Sequence, residues 1–466
     1  MIARLYIVML VLFGTPSFAR AQVAPTAGTW TALDQYVATP DDAYSWTLLH
    51  RTAGRGMTTF VVSMTSQRWR TEADVNRTEW KHSLLIVKPD HAVSNKALLF
   101  IGGGRNGDEA PQDANQRIKQ IAMATGSVVV ELGQIPNQPL EFHGDGNGRY
   151  EDDLIGYAWD QFLKDGDPEW LPRLPMVKAV VRAMDTVELL LKSDEGGGLK
   201  IDKFVVAGGS KRGWTTWMTA AVDPRVCAIA PIVIDVLNVN RSMNHHYAAY
   251  GFWAPAIGDY VHHKLTHRRN TPEYADLLRL VDPYAYRSRF TMPKCIINAT
   301  GDEFFLPDSS QFYFADLPGE KHLCYVPNSN HSLRGTDALE TLTAFHHAIV
   351  NDTPRPEFSW EFVEPSAIRV IATTKPQRVL FWKATNPDAR DFRVDTIGRA
   401  YQSVTVQPGE SGEYLARVNK PEKGWTAYFV QLEFDVGAPT TLRLTTPVRV
   451  IPQGLPHADK QAPLIE

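Results

Sequence analysis

Cysteine is scarce in this sequence. Its 466 residues include three, Cys227, Cys295 and Cys324. Three cannot all pair within one chain, so a disulfide-stapled framework is excluded. Each sits in a short apolar run (VCAIAPIV, KCIINA, HLCYV). The expectation is buried free thiols used as small hydrophobes, with a single disulfide as the alternative. An excess of positive charge is also missing. Lys and Arg number 48 against 52 Asp and Glu, a formal net charge of −4. That balance argues against nucleic acid as a partner, because binding it needs a basic footprint. Beyond the first residues no apolar run is long enough to span a membrane. Internal repeats and low-complexity tracts are absent. The histidine pairs His245-His246 and His262-His263 lack the carboxylate or cysteine pattern of a metal site, so neither a metal nor another cofactor is expected.

What is present is an ordinary globular composition, 44% hydrophobic and 21% charged, in a chain long enough for a large domain and a second one. The opening stretch MIARLYIVMLVLFGTPSFARA is distinct from the rest. Arg4 gives a positive start, Leu5 to Phe13 an apolar run, and Ala19-Arg20-Ala21 a small-x-small cleavage site. Residues 1–21 therefore read as a secretory signal peptide cleaved before Gln22, which predicts an exported protein, periplasmic or extracellular.

Residues 22–352 predict one α/β domain. From Ser83 onward, the runs SLLIVKP, ALLFIGG, SVVVEL, KFVVAGG, VCAIAPIVI, KCIINAT and HLCYVP are almost continuously apolar. A parallel sheet covered on both faces requires that. Helical patterns alternate with them. In MVKAVVRAMDTVELLL, the residues Met176, Val177, Val180, Val181, Met184, Val187, Leu190 and Leu191 share one helical face. Alternation of this kind predicts a doubly wound, mostly parallel sheet. Two insertions, about 132–175 and 238–282, are long enough to act as lids. Residues 353–455 change texture to short alternating strands and predict an all-β, immunoglobulin-like sandwich. Residues 456–466 read as a loose tail.

The chemistry concentrates in KFVVAGGSKRGWTTW, Lys203 to Trp217. A β-branched strand runs into two glycines, Ser210, two cations and Gly213. A serine at the apex of a strand–turn–helix elbow has its oxygen exposed, and flanking glycines relieve collisions at the turn. The pattern departs from strict G-x-S-x-G, because Arg212 holds the last position and the glycine follows it. Downstream, Asp302 lies just past the run KCIINAT and His331 just past HLCYVP. Serine, acid and histidine thus occur in the order such elbows use, each at the carboxyl end of a strand, where ligands bind in open α/β sheets. Glu303 and Asp308 are alternative acids. The oxyanion hole is expected from the N–H of Lys211 and from the loop Gly102-Gly103-Gly104, with Gly103 and Gly104 as candidates. That glycine loop is not a phosphate cradle, since the Lys-Ser/Thr ending is missing. Lys211 and Arg212 either support the oxyanion or bind an anionic part of the substrate, or one or both project away, with Arg212 paired to a structural carboxylate. Glu151-Asp152-Asp153 reads as a solvated acidic turn, and Trp159, Trp170 and Trp253 as core residues or pocket walls.

The segments EDDLIGYAW, LPMVKAVVRAMDTV, VVAGGSKRGWTTW, GDEFFLPDSS and LPGEKHLCYVPNSNHSL together resemble the PhoPQ-activated pathogenicity-related protein family, over nearly the whole mature chain. The resemblance implies an exported protein with an α/β-hydrolase-type domain, and makes Ser210, Asp302 and His331 the matching triad positions. It implies little about substrate. More distantly, the elbow is similar to that of glucuronoyl esterases, where a cation also follows the nucleophile, a place Lys211 would hold. The Asp302 turn is similar to that of secreted prolyl-type peptidases, although no propeller precedes it. The expectation is an exported serine hydrolase that cleaves an ester or amide bond in a small molecule or peptide, with esterase slightly favoured over peptidase. The competing expectation is a non-catalytic binding protein on the same fold.

Overall fold

The computed structural model describes residues 30–364 and 366–460. The expected signal peptide lies outside the described residues, as does the end of the tail. Nine strands build the central sheet. They are β1 (Ser45–Gly54), β2 (Met57–Arg68), β3 (Glu79–Pro89), β4 (Lys96–Ile101), β5 (Val128–Leu132), β6 (Lys203–Gly209), β7 (Val226–Ile232), β8 (Lys294–Ala299) and β9 (Lys321–Val326). Their order across the sheet is β1-β2-β3-β5-β4-β6-β7-β8-β9. From β5 to β9 all neighbours are parallel, whereas β1 to β3 and the β3–β5 pair are antiparallel. All seven runs expected as strands are strands. The β1–β2 hairpin precedes the stretch where the sequence pattern begins.

Pleat alternation sends successive side chains to opposite faces, and here both faces are covered. Phe204 and Val206 of β6 join one buried cluster with Met176, Val180, Met184 and Trp217 from the helices Arg173–Lys192 and Lys211–Val222. Val205 and Ala207 join another with Ile118, Ile121, Leu342 and Phe345 from the helices Gln116–Thr125 and Ala338–Val350. This is an α/β architecture with a mixed sheet. All eight apolar residues expected on one face of the helix Arg173–Lys192 are buried. Among the described residues no helix is long and apolar enough to cross a membrane.

The β-rich end comprises β10 (Phe358–Val363), β11 (Ala367–Ala372), β12 (Arg378–Asn386), β13 (Gln402–Thr405), β14 (Tyr414–Arg417), β15 (Trp425–Phe434), β16 (Leu442–Thr445) and β17 (Arg449–Ile451). These strands form two layers that do not stand apart from the rest. β10, β11 and β14 make a separate three-stranded sheet. The others prolong the central sheet, because β16 pairs antiparallel with β9 at Thr445 and Leu323. Thr445 Oγ1 also accepts the Tyr325 N–H at 3.1 Å. An unpaired β9 edge would expose open hydrogen-bonding groups, and β16 covers it. The tail is anchored in its described part, since the His457 N–H donates to the Ala248 carbonyl at 2.9 Å.

The two insertions meet above the carboxyl ends of the strands. The first supplies the helix Glu151–Asp165, and the second the helices Val239–Tyr250, Gly258–His262 and Pro272–Val281. Polar contacts join them: Tyr260 donates to Asp152 at 3.0 Å, His263 Nε2 lies 2.7 Å from Asp153, and Arg268 donates to Asp160 at 2.6 Å. The three cysteines are free thiols, with Cys295 and Cys324 buried.

Candidate active site

Ser210 sits between the last residue of β6 and the first of the helix Lys211–Val222, at φ 58° and ψ −125°. A serine avoids this region at a cost of about 1–3 kcal/mol. The surrounding structure holds it there. The Ser210 N–H donates to the Ile232 carbonyl at 2.8 Å, and its own carbonyl accepts the Trp214 N–H at 2.9 Å. The glycines explain the departure from the usual spacing. A Cβ on Gly213 would lie 2.8 Å from the Gly208 carbonyl oxygen and 2.9 Å from that of Ile232. A Cβ on Gly208 would lie 2.8 Å from the Arg212 carbonyl oxygen. Position 212 has no such constraint on its Cβ, so an arginine fits there.

Because β6, β8 and β9 run parallel, the segments after them emerge on one side of the sheet. Asp302 follows β8 and His331 follows β9. His331 Nδ1 lies 3.0 and 2.9 Å from the two carboxylate oxygens of Asp302. Asp302 is buried and also accepts the N–H of Phe304 at 2.8 Å. Glu303 takes a different role, accepting the His331 backbone N–H at 2.8 Å. Asp308 faces elsewhere, with His245 Nε2 at 3.0 Å and Arg390 Nη2 at 2.5 Å from its oxygens. Burial alone would raise its carboxyl pKa, yet Arg390 and His245 hold it well below the usual carboxylate range. Among the described residues the other ring nitrogen, His331 Nε2, is buried without a hydrogen-bond partner. The Phe304 ring covers the imidazole, with centroids 4.4 Å apart.

Phe304 and Phe305 also wall a cavity of about 70 Å³ that reaches Ser210. Its other walls include Trp159, Trp214, Tyr260, Met243, Asp152 and Arg173. The loop after β4 lies beside the elbow, because Ile101 pairs in register with Gly208. Among the described residues, the N–H groups of Gly103, Gly104 and Lys211 donate no hydrogen bond. Gly104 has φ +141°, and a Cβ on Gly103 would approach Arg212 Nη2 to 2.8 Å.

The two cations beside the serine are both tied to Glu151. Lys211 Nζ lies 2.8 Å from Glu151 and 3.4 Å from Asp152. Arg212 donates to both Glu151 oxygens, at 2.8 and 2.7 Å, and to the Ile135 carbonyl at 2.5 Å. Arg212 is thus engaged beneath the elbow instead of lying open to a substrate. Burial would raise the Glu151 pKa, but Arg212 and Lys211 bring it down to about 2. Glu151 and Asp152 therefore brace the elbow, where the sequence suggested a solvated turn. The remaining motifs are structural. His246 accepts the Ala254 N–H at 3.1 Å, Trp170 donates to Asp165 at 2.9 Å, and Trp253 lies beneath Arg269. Among the described residues no group of His, Cys, Asp or Glu is arranged to hold a metal ion.

The model of the PhoPQ-activated pathogenicity-related protein family matches residues 33–393. The chain belongs to that family. A relative in Dictyostelium discoideum, Autocrine proliferation repressor protein A, is 38% identical over 455 residues, covering 91% of each chain. Among solved structures, the chain is similar to an acetyl xylan esterase from Paenibacillus sp. R4, with 15% identity, a TM-score of 0.47, and coverage of 70% of this chain and 97% of the other. It is also similar to acetyl xylan esterase 1 from Thermoanaerobacterium sp. JW/SL YS485, with 17% identity, a TM-score of 0.44, and coverage of 65% and 89%. Family membership thus extends past the central sheet into the β-rich end.

Two residues beside Ser210 escaped the sequence reading. Trp214 lies inside the elbow motif itself, so its place one helical turn after the serine was available as a signal. Arg173 has no such signal, being a single arginine in WLPRLP well upstream of the motif.

Proposed function

We propose that this protein is an exported serine hydrolase of the α/β-hydrolase type, with Ser210 as nucleophile, His331 as base and Asp302 as the orienting acid. The observation that carries the proposal is the Asp302–His331 pair. Both carboxylate oxygens address Nδ1, which leaves Nε2 as the nitrogen free to take a proton, beside the Phe304-Phe305 turn that also walls the Ser210 cavity. The order of the central strands and the strained elbow support the same reading.

The steps follow from these positions. Ser210 Oγ attacks the carbonyl carbon of an ester or amide, and its proton passes to His331 Nε2. Asp302 holds the tautomer and balances the imidazolium charge. The carbonyl oxygen becomes an anion facing the N–H of Lys211 and those of Gly103 or Gly104. On collapse, the bond to the leaving group breaks, and His331 returns the proton to that group. Water, activated by His331, then cleaves the acyl-enzyme and restores Ser210. An ester is favoured over a peptide bond, because the cavity beside Ser210 is small, about 70 Å³.

A second reading has one observation behind it. The Dictyostelium relative is named as an autocrine repressor of proliferation, and a signalling protein can keep a hydrolase fold without turnover. Labelling with a fluorophosphonate separates the two. The parent is expected to label, and Ser210→Ala and His331→Ala to lose labelling while remaining folded. A folded parent that does not label would sink the hydrolase reading and favour the second.

A further inference from the structure

Arg173 is 1% exposed. Its guanidinium lies over the Trp214 ring, 4.6 Å from the centroid, and lines the cavity beside Ser210. Nη1 donates to the Lys211 carbonyl at 2.8 Å and approaches Met176 Sδ at 3.5 Å. Among the described residues, Nε and Nη2 have no partner. Three N–H donors on a buried cation are thus unspent. Leaving a buried charge uncompensated is costly, of the order of several kcal/mol, so a fold keeps such a group where something else satisfies it.

The neighbouring charges supply that compensation only in part, since Asp152 acts on Arg173 without forming an ion pair with it. Lys211, Arg212, Glu151 and Asp152 form a cluster of two cations and two carboxylates, balanced within itself. A second buried arginine, Arg269, also lines the cavity. It donates to the Thr266 carbonyl at 3.0 Å and to Asn244 Oδ1 at 2.5 Å, both neutral acceptors. Neither Arg173 nor Arg269 makes an ion pair with a described residue. Besides the two arginines, the lining holds Lys211 and Asp152, which lie 3.4 Å apart, and is otherwise aromatic, aliphatic, thioether or hydroxyl. A net positive, mostly apolar and recessed space beside a nucleophile favours an anion, and low local polarity strengthens the attraction. The space is small, about 70 Å³, and suits a short group such as a carboxylate and one methylene.

We propose that this cavity binds a short carboxylate-bearing acyl group, held by Arg173 through its free Nε and Nη2, so that the preferred substrates are esters of small dicarboxylic acids. The proposal rests on the hydrolase reading for its catalytic meaning, but binding can be measured apart from turnover. The experiment is calorimetric titration of Ser210→Ala protein with monomethyl malonate and with methyl isovalerate, its neutral near-isostere. The malonate ester is expected to bind at least about tenfold tighter, and Arg173→Met in the same background to abolish that preference. Equal affinities, a preference for the neutral ester, or no binding of either would overturn the proposal. An unchanged preference in Arg173→Met would also overturn it, with Arg269→Met then locating the cation responsible. Fluorophosphonate labelling of the parent runs in parallel. Labelling without a malonate preference defeats this proposal alone, whereas a malonate preference without labelling defeats the hydrolase reading alone.

Discussion

Asp302 presents both carboxylate oxygens to His331 Nδ1, at 3.0 and 2.9 Å, while Asp308, six residues on, gives both of its own to His245 and Arg390. Two acids from one turn are thereby separated by their partners. Asp302→Asn is expected to lower kcat by about 10³–10⁴-fold with little change in fold, since an amide favours the wrong imidazole tautomer. Asp308→Asn is expected to behave oppositely. It strands the buried Arg390 and costs about 3–5 kcal/mol of stability, with kcat of the folded fraction within a few-fold of the parent. Esterase assays and urea unfolding of both variants check this. Equal losses of kcat would refute the separation.

The elbow glycines are not equivalent. Gly213→Ala drives a methyl against two backbone carbonyls, and an overpacked site of this kind costs about 1–3 kcal/mol. Gly209→Ala meets nothing nearer than Val233 Cγ2 at 4.0 Å, and its stability is expected within about 0.5 kcal/mol of the parent. Thermal melts of the two variants give the comparison.

The Glu151 pKa is brought from 4.5 down to about 2 by Arg212 and Lys211, against the opposing effect of burial. A depressed carboxyl stabilises the fold fully above its unfolded value and loses that contribution as pH falls through the folded one. The parent should therefore lose stability between about pH 4.5 and 2. Glu151→Gln should lack that component of the loss and be less stable than the parent at neutral pH. Melting temperature against pH for both proteins is the measurement.

Asp235 has the reverse sign. Burial, with Asp302 and Asp308 nearby, raises it from 3.8 to about 7, although Tyr313 and Tyr325 each donate to it at 2.6 Å. The fold then holds its proton more tightly than the unfolded chain does. Stability from this group is present below about pH 3.8 and declines as pH rises through 7. Asp235→Asn is expected to flatten the pH profile of the melting temperature over that window. An unaltered slope would contradict the assignment.

The central strands were readable because burial on both faces forces unbroken apolar runs. The hairpin β1–β2 was not, because β1 is largely exposed and mixes Thr, His and Arg with its aliphatics. Ser210, Asp302 and His331 stood out by their order after strands. What sequence could not supply is partnership across distance. Arg212 and Glu151 lie 61 positions apart, and Arg390 and Asp308 lie 82 apart, so no local pattern distinguishes a bracing cation from a free one. Arg173 was hidden for the same reason, since its meaning lies in what it fails to touch. The junction of β9 with β16 rests on a single register pair in a strand that reads like any other.

That junction joins the β-rich end to the edge of the central sheet. His331 is delivered by the turn that leaves β9, and the outer edge of β9 is closed by a strand more than a hundred positions later. A chain cut after residue 352 would keep every group proposed to act at the carbonyl. It would still bare the flank of the strand that leads to His331, and that flank invites pairing with another molecule. The β-rich end thus serves as a selvedge to the central sheet, a finished border without which the fabric can join to its neighbours.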